Sequence, residues 1–326
     1  MRVLITGMGG ELGSRVAAVV EQRPWATSVD GLDVEPPRIR LRRSHFTLVD
    51  PRDRRRVVRL VRELDPQVVI HVGVYEPNAR SGPALAAART ADAALHVLGA
   101  AAQCPSLQTI VVRSGIEVYG RRRNAPLRPD EETPVDPTSP FGRSLVEAER
   151  LATEAGRAAG VPVTLVRCAT LVGPHVPSPL GRVLRLPVVP FSALADPPFA
   201  LLHQEDGAAA LVAAAEARHD GPVNVVGTGG VSAFQAARLG DRIPFPVSGP
   251  GWLFARAVTE LLGAPSPGHV VEVLRRGRTA DGSSAAGLLG IAAPLPTIEV
   301  VKDLYAWATV THLRPEFRTV PARRAR

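Results

Sequence analysis

Apolar residues in this chain follow two alternating patterns: short β-branched runs of about five residues, and longer stretches in which apolar positions recur every three or four residues. The first run, Arg2 to Thr6, is long enough for one buried strand and too short for a helix. A glycine-rich turn, Gly7 to Gly13, follows at once, and Ser14 to Glu21 carries a helical apolar stripe. The alternation continues with strands at Thr27 to Asp33, His45 to Val49, Gln67 to Val72, Gln108 to Arg113 and Val163 to Cys168. Helices are predicted at Arg54 to Leu64, Pro83 to Gln103 and Pro140 to Gly160, the first of them broken by Asp65-Pro66. Gln67 to Val72 is apolar almost throughout, as in strands buried on both faces of a parallel sheet. Six alternations with short links predict an α/β fold built on a doubly wound parallel sheet.

After Gly173 the pattern changes, and prolines at 174, 177, 179, 187, 190, 197 and 198 exclude long elements. Leu201 to Asp206, a helix from Gly207 to Arg218 and a strand at Pro222 to Val226 read as a return to the sheet, with a last helix at Ile298 to Val310. The expected division is 1–172 plus about 200–226 for the sheet domain, and about 173–199 and 227–312 for a smaller substrate or lid domain. Residues 313–326 read as a frayed basic tail.

With 326 residues the chain can bury one large core or two smaller ones. Apolar residues at 45% and charged residues at 21% are ordinary for a globular enzyme. No apolar run reaches the roughly 18 residues a membrane span needs, and the first strand leaves no room for a signal peptide. Cys104 and Cys168 are too few for a disulfide framework, so a cytoplasmic chain without membrane insertion is expected. No metal is expected. A net charge of +8 raises nucleic-acid binding. Against it, the clusters Arg38 to Arg43, Arg52 to Arg56 and Arg121 to Arg123 sit beside loops or on a helix face, without interleaved aromatics. Lys302 is the one lysine among 39 basic residues, a bias of composition rather than of phosphate recognition.

Strand, glycine turn and helix in that order form the context in which a dinucleotide fingerprint carries meaning. Gly7 permits the tight turn, Gly10 lets the backbone approach a pyrophosphate, and Gly13 lets the helix pack on the strand; Gly9 is an extra glycine. The pyrophosphate would sit on free N–H groups at the helix N-terminus. Asp33 ends the second strand where a carboxylate meets the adenine ribose hydroxyls. It would repel a 2′-phosphate, which favours NAD over NADP, while an arginine between Arg38 and Arg43 could reach such a phosphate. Asp50 is placed to meet the adenine edge or to cap the following helix. The residues expected to touch the cofactor are Gly7, Met8, Gly9, Gly10, Glu11, Leu12, Gly13, Asp33, Asp50, Pro51, Val72, Gly73, Val74, Arg113, Cys168 and Ala169.

These stretches resemble the extended short-chain dehydrogenase/reductases, the NAD-dependent epimerase/dehydratase group that works on nucleotide sugars, with UDP-sugar 4-epimerases as the type. The likeness covers about 1–310. It rests on Thr6 to Gly13, Gly31 to Asp33, Val49 to Asp53, Ile70 to Val74, Ser114 to Gly120, Pro140 to Ser144, Arg167 to Pro174 and Leu202 to Asp206. The resemblance implies a Rossmann domain with a smaller C-terminal lid, and a homodimer formed by the helices near Ala84 to Ala102 and Phe141 to Gly160.

It also implies a catalytic tyrosine, a lysine four residues on that lowers its pKa, and a serine or threonine that orients the substrate hydroxyl. The tyrosine and lysine belong to a P-Y-G-x-S-K stretch, with the pair on one helix face. Here that stretch runs from Pro140 to Leu145, so Phe141 stands for the tyrosine, Leu145 for the lysine and Gly115 for the serine. Phenylalanine has no ionisable oxygen and cannot move a proton at any pH. Substitutes that could face the nicotinamide are Glu117, Tyr119, His203 and Ser114, with Tyr75 and His175 further out. Each has a structural alternative: a turn residue, a partner for one of the many arginines, or a helix cap. Cys168 also ends a strand near the expected nicotinamide, with nothing nearby to lower its pKa. Two functions remain open: an enzyme with a relocated catalyst, acting on a nucleotide sugar or similar small molecule, and an NAD-binding sensor, scaffold or regulatory partner.

Overall fold

The computed structural model describes residues 1–77, 81–173 and 176–306. Eleven strands and eleven helices are found among them, joined by one short 3-10 turn. The first half alternates β1 (Arg2–Thr6), α1 (Glu11–Glu21), β2 (Ser28–Asp33), β3 (Ser44–Leu48), α2 (Arg54–Leu64), β4 (Val68–His71), α3 (Pro83–Ala101), β5 (Thr109–Gly115), α4 (Pro140–Ala159) and β6 (Val163–Cys168). Then come β7 (Thr170–Val172), α5 (Pro179–Leu184), β8 (Val188–Ser192), β9 (Leu201–His203), α6 (Gln204–Ala217) and β10 (Gly221–Val225). The remainder holds α7 (Ala233–Leu239), β11 (Ile243–Val247), α8 (Gly251–Leu261), α9 (Gly268–Arg276), α10 (Ala285–Leu289) and α11 (Thr297–Ala306).

Seven strands form one parallel sheet in the order β10-β6-β5-β4-β1-β2-β3, the doubly wound arrangement that the alternation predicts. Successive residues of β1 serve opposite faces. Val3 and Ile5 join the core under α1 and α6, and Leu4 joins the core under α2, α3 and α4. Strand order reverses between β1 and β4, which are direct neighbours, and such a switch point opens a crevice at the strands' C-terminal ends. A separate core is built from residues between Val172 and Leu201, between Val231 and Leu274, and Val300, Val301 and Leu304, with Phe199, Trp252 and Leu274 in its interior, whereas Ala280, Ala285 and Leu289 join the first core.

Several boundaries differ from the sequence reading. β5 runs on to Gly115 and passes straight into the 3-10 turn Ile116–Tyr119, because Gly115 pairs with Cys168 across the sheet. α6 starts at Gln204 rather than at Gly207, since the His203 side chain caps it. Asp53, not Asp50, caps α2 by accepting the Arg56 N–H. The expected end of the last helix at Val310, the tail 313–326 and His175 lie outside the described residues.

Candidate active site

The crevice at the switch point begins with Gly7, held at φ +76° with its N–H donating to the Leu32 carbonyl at 2.9 Å. That left-handed backbone suits glycine alone, and a Cβ there would lie 2.8 Å from Gly73 N. The ends of β1 and β4 therefore touch. Gly13 leaves room for the Gly7 carbonyl, which its own Cβ would strike. Gly10 is different: a Cβ there would meet only the Gly7 carbonyl oxygen, at an ordinary 3.5 Å. Packing within the protein does not require glycine at Gly10, whereas close approach of a ligand would. Gly10 precedes α1 without a side-chain cap, so the first-turn N–H groups of Glu11, Leu12 and Gly13 face the crevice without helical partners.

Asp33 closes this end. Its Oδ2 accepts the Gly9 N–H at 2.8 Å and its Oδ1 accepts the Val34 N–H at 2.6 Å. Burial pushes its pKa up, against those hydrogen bonds. Arg38 is tied to Glu35 by an ion pair, so this arginine already has an acidic partner. The Met8 side chain is fully buried and packs against Gly31; only its backbone belongs to the turn. Asp50 is engaged by Arg52, whose side chain holds the carboxyl down to about 2. Pro51 is buried, and its carbonyl accepts from His96 Nδ1 at 2.7 Å. The Val72 N–H donates to the Thr6 carbonyl at 3.0 Å, which holds Val72, Gly73 and Val74 along the crevice floor. Tyr75 also belongs to this side: burial first, then the Asp33 charge, raises its phenol pKa.

The other end of the crevice brings Gly115, Leu145 and Cys168 together. A Cβ on Gly115 would run into the Glu117 carboxylate and lie 3.1 Å from Leu145 Cδ1 and 3.5 Å from the Cys168 carbonyl. Glu117 thus fills the space beside the position that the resemblance assigns to the orienting serine. It is 4% exposed, and its nearest charged partner is Arg278 Nη1 at 3.9 Å. Arg278 is bound at Nη2 to Glu272 at 2.5 Å, while its Nε and Nη1 have no hydrogen-bond partner among the described residues. Burial, then the charge of Arg278, pulls the pKa of nearby Arg121 down.

Three of the sequence-predicted substitutes are committed elsewhere. Ser114 Oγ donates to Glu149 at 2.6 Å; Glu149 holds Arg167 through two contacts of 2.8 and 2.9 Å. Arg167 donates to the Tyr119 hydroxyl at 3.0 Å, and that hydroxyl donates to Asn224 Oδ1 at 2.8 Å. This chain of buried bonds ties β5, α4, β6 and β10 together and engages the hydroxyls of both Ser114 and Tyr119. His203 caps α6 through Nδ1 and lies 3.3 Å from Asp303 at Nε2. Arg113 is half-buried on β5, and its Nε has no hydrogen-bond partner among the described residues. Ala169 N–H is bonded to the Val225 carbonyl at 2.9 Å. Burial drives the Cys168 thiol up to about 12, which keeps it protonated.

The sequence reading missed Glu149, Arg167, Arg278, Glu272, His269 and Glu76. Glu149 was within reach: it lies four residues beyond Leu145 on the same helix face. The others meet only across the fold. No metal-ligating cluster of His, Cys, Asp and Glu occurs among the described residues, and none of the described helices is long and apolar enough to cross a membrane.

The sequence profile of the NAD dependent epimerase/dehydratase family matches residues 3–227. The chain belongs to that family. An uncharacterised protein of Mycobacterium tuberculosis is 28% identical over 320 residues, covering 93% of this chain and 83% of its own. Among solved structures, UDP-glucose 4-epimerase of Thermotoga maritima with UDP-glucose superposes with a TM-score of 0.73 at 20% identity, covering 94% and 98% of the two chains. The UDP-glucose-4-epimerase of Stenotrophomonas maltophila, with NAD and formylated UDP-arabinopyranose, gives 0.71 at 22% identity over 94% and 97%. At these identities the structural likeness establishes the shared fold.

Proposed function

We propose that this family member binds NAD along the crevice and acts on a hydroxyl of a nucleotide sugar or similar small molecule by an atypical mechanism. The cofactor would lie with its pyrophosphate on Gly10 and the first turn of α1, and its adenine ribose on Asp33. When bound, NAD supplies a reversible hydride acceptor. Asp33 puts negative charge where NADP carries a 2′-phosphate, and Arg38 is already neutralised by Glu35, which supports NAD. The two epimerases above bind UDP-linked sugars, and the same class is the substrate we assign here. The second core serves as the lid over it.

One observation carries the reading. The space beside Gly115 holds a buried carboxylate, Glu117, with an arginine from beyond α9 facing it. A site that had merely lost its chemistry has no need of charge there, because burying it costs several kcal/mol per ion. In this position Glu117 accepts a substrate hydroxyl's hydrogen bond, the orienting task of the missing serine.

The test is calorimetry with NAD and NADP, followed by incubation of the NAD-loaded protein with a panel of UDP- and dTDP-sugars. Binding of NAD with conversion of at least one sugar is expected. Tight NAD binding with no cofactor reduction and no product would instead favour a non-catalytic sensor, scaffold or regulatory partner. Phe141 and Leu145, hydrocarbon side chains almost wholly buried at the catalytic positions, are the observation behind that second reading.

A further inference from the structure

Three groups from three elements meet at the N-terminal end of α4. His269 stands in the first turn of α9, Glu76 follows β4, and Phe141 opens α4. His269 Nε2 lies 2.8 Å from Glu76 Oε1. The imidazole packs on the Phe141 ring with centroids 4.8 Å apart and planes at 39°. His269 is 4% exposed. With a carboxylate on Nε2, the neutral ring carries its proton there and presents Nδ1 as an acceptor. Nδ1 has no hydrogen-bond partner among the described residues. An imidazole backed by a carboxylate is a proton-moving unit, because the carboxylate sets the tautomer and steadies the imidazolium when it forms. Phe141 has no polar atom, so its ring positions His269 without competing for the proton. The dyad stands at the C-terminal end of the sheet, where parallel α/β folds hold their ligands.

We propose that His269, backed by Glu76, takes the proton of the substrate hydroxyl in place of an ionised tyrosine. The proposal rests on the reading above that a hydroxylated substrate is oxidised in this crevice. In the step, the O–H bond breaks, its proton passes to Nδ1, and Nε2 keeps its own proton on Glu76. The O–H electron pair becomes the second C–O bond as the carbon gives up hydride to an oxidised nicotinamide, which balances the electrons. The return step reverses each transfer.

His269→Gln is the discriminating variant, since a glutamine amide can still donate to Glu76 but cannot take the proton. In the full-length NAD-loaded protein with UDP-glucose as probe, its turnover is expected to fall at least about 100-fold. UDP-glucose affinity should change less than about threefold, and the melting temperature should hold. A second readout is independent of turnover: histidine nitrogen NMR of the wild type should show Nε2 protonated and Nδ1 bare, with the Nδ1 resonance moving when UDP-glucose is added. If His269→Gln turns over like the wild type, or Nδ1 ignores bound UDP-glucose, the dyad is no catalyst and the proposed function stands without it. If the wild type neither binds nor converts any sugar of the panel, the proposed function falls and the dyad with it.

Discussion

At the scale of single side chains, Asp33 and His71 each make a physical argument that can be measured. Asp33 is buried and still accepts two backbone N–H groups, so it is held in place before any ligand arrives. Asp33→Ala is expected to weaken NAD binding by about 1–3 kcal/mol, the scale of a lost charged hydrogen bond; unchanged affinity in calorimetry would remove it from the ribose site. His71 shows burial acting on a titration. It is fully buried, bonded through Nδ1 to Thr6 Oγ1 at 2.7 Å, and desolvation lowers its pKa from 6.5 to about 4. Its folded form resists the proton that the unfolded chain accepts. Its contribution to stability is therefore present above pH 6.5 and falls by about 1.4 kcal/mol per unit as pH drops toward 4. Denaturant melts of wild type and His71→Asn across that window should show the slope in the first and its loss in the second.

Among the elements, α1 and α4 repay comparison. Gly13 is required by the packing of α1 on β1, whereas Gly10 is free of such contact. Gly10→Val should accordingly fold with a near-normal melting temperature and lose NAD affinity at least tenfold, a divergence that packing effects alone would not produce. α4 is pinned to the sheet by the Glu149–Arg167 pair, whose side chains are only 8% and 7% exposed. Glu149→Ala leaves a buried guanidinium without its counter-charge, and the expected loss is about 3–5 kcal/mol in urea unfolding. A loss under 1 kcal/mol would mean that water reaches Arg167. The resemblance implies the Phe141 and Leu145 replacements from a contiguous stretch, Pro140 to Leu145. The Glu149 pairing depends on where β6 lies, and no local pattern states that.

For the whole molecule, the outward side of α3 carries Leu85 at 40% and Leu95 at 53% exposure, whereas α4 shows solvent the Arg150, Glu147 and Glu154 cluster. The homodimer that the family resemblance implies would set α3 and its leucines against a second copy of the chain. Leu95→Glu is then expected to shift the protein from dimer to monomer in light scattering, and a wild type that runs as a monomer would sink the idea. The periodicity of apolar residues was enough to fix the parallel sheet and its glycine turn, because each is written in residues adjacent along the chain, while the reading of Gly115, Phe141 and Leu145 as replaced catalytic residues is what the family resemblance implies. The cap of α2 at Asp53 instead of Asp50 lay within the blur of local signals, since both acids precede the same helix. His269 with Glu76, Arg278 with Glu117, and the Ser114–Glu149–Arg167–Tyr119–Asn224 chain belong to the other category. Their members are distant in sequence and come within reach only when β4, β5 and β6 line up and the second core folds back over their ends. Strand and helix formation follow from local spacing, but charge pairing follows from proximity, which the packing of the whole chain creates.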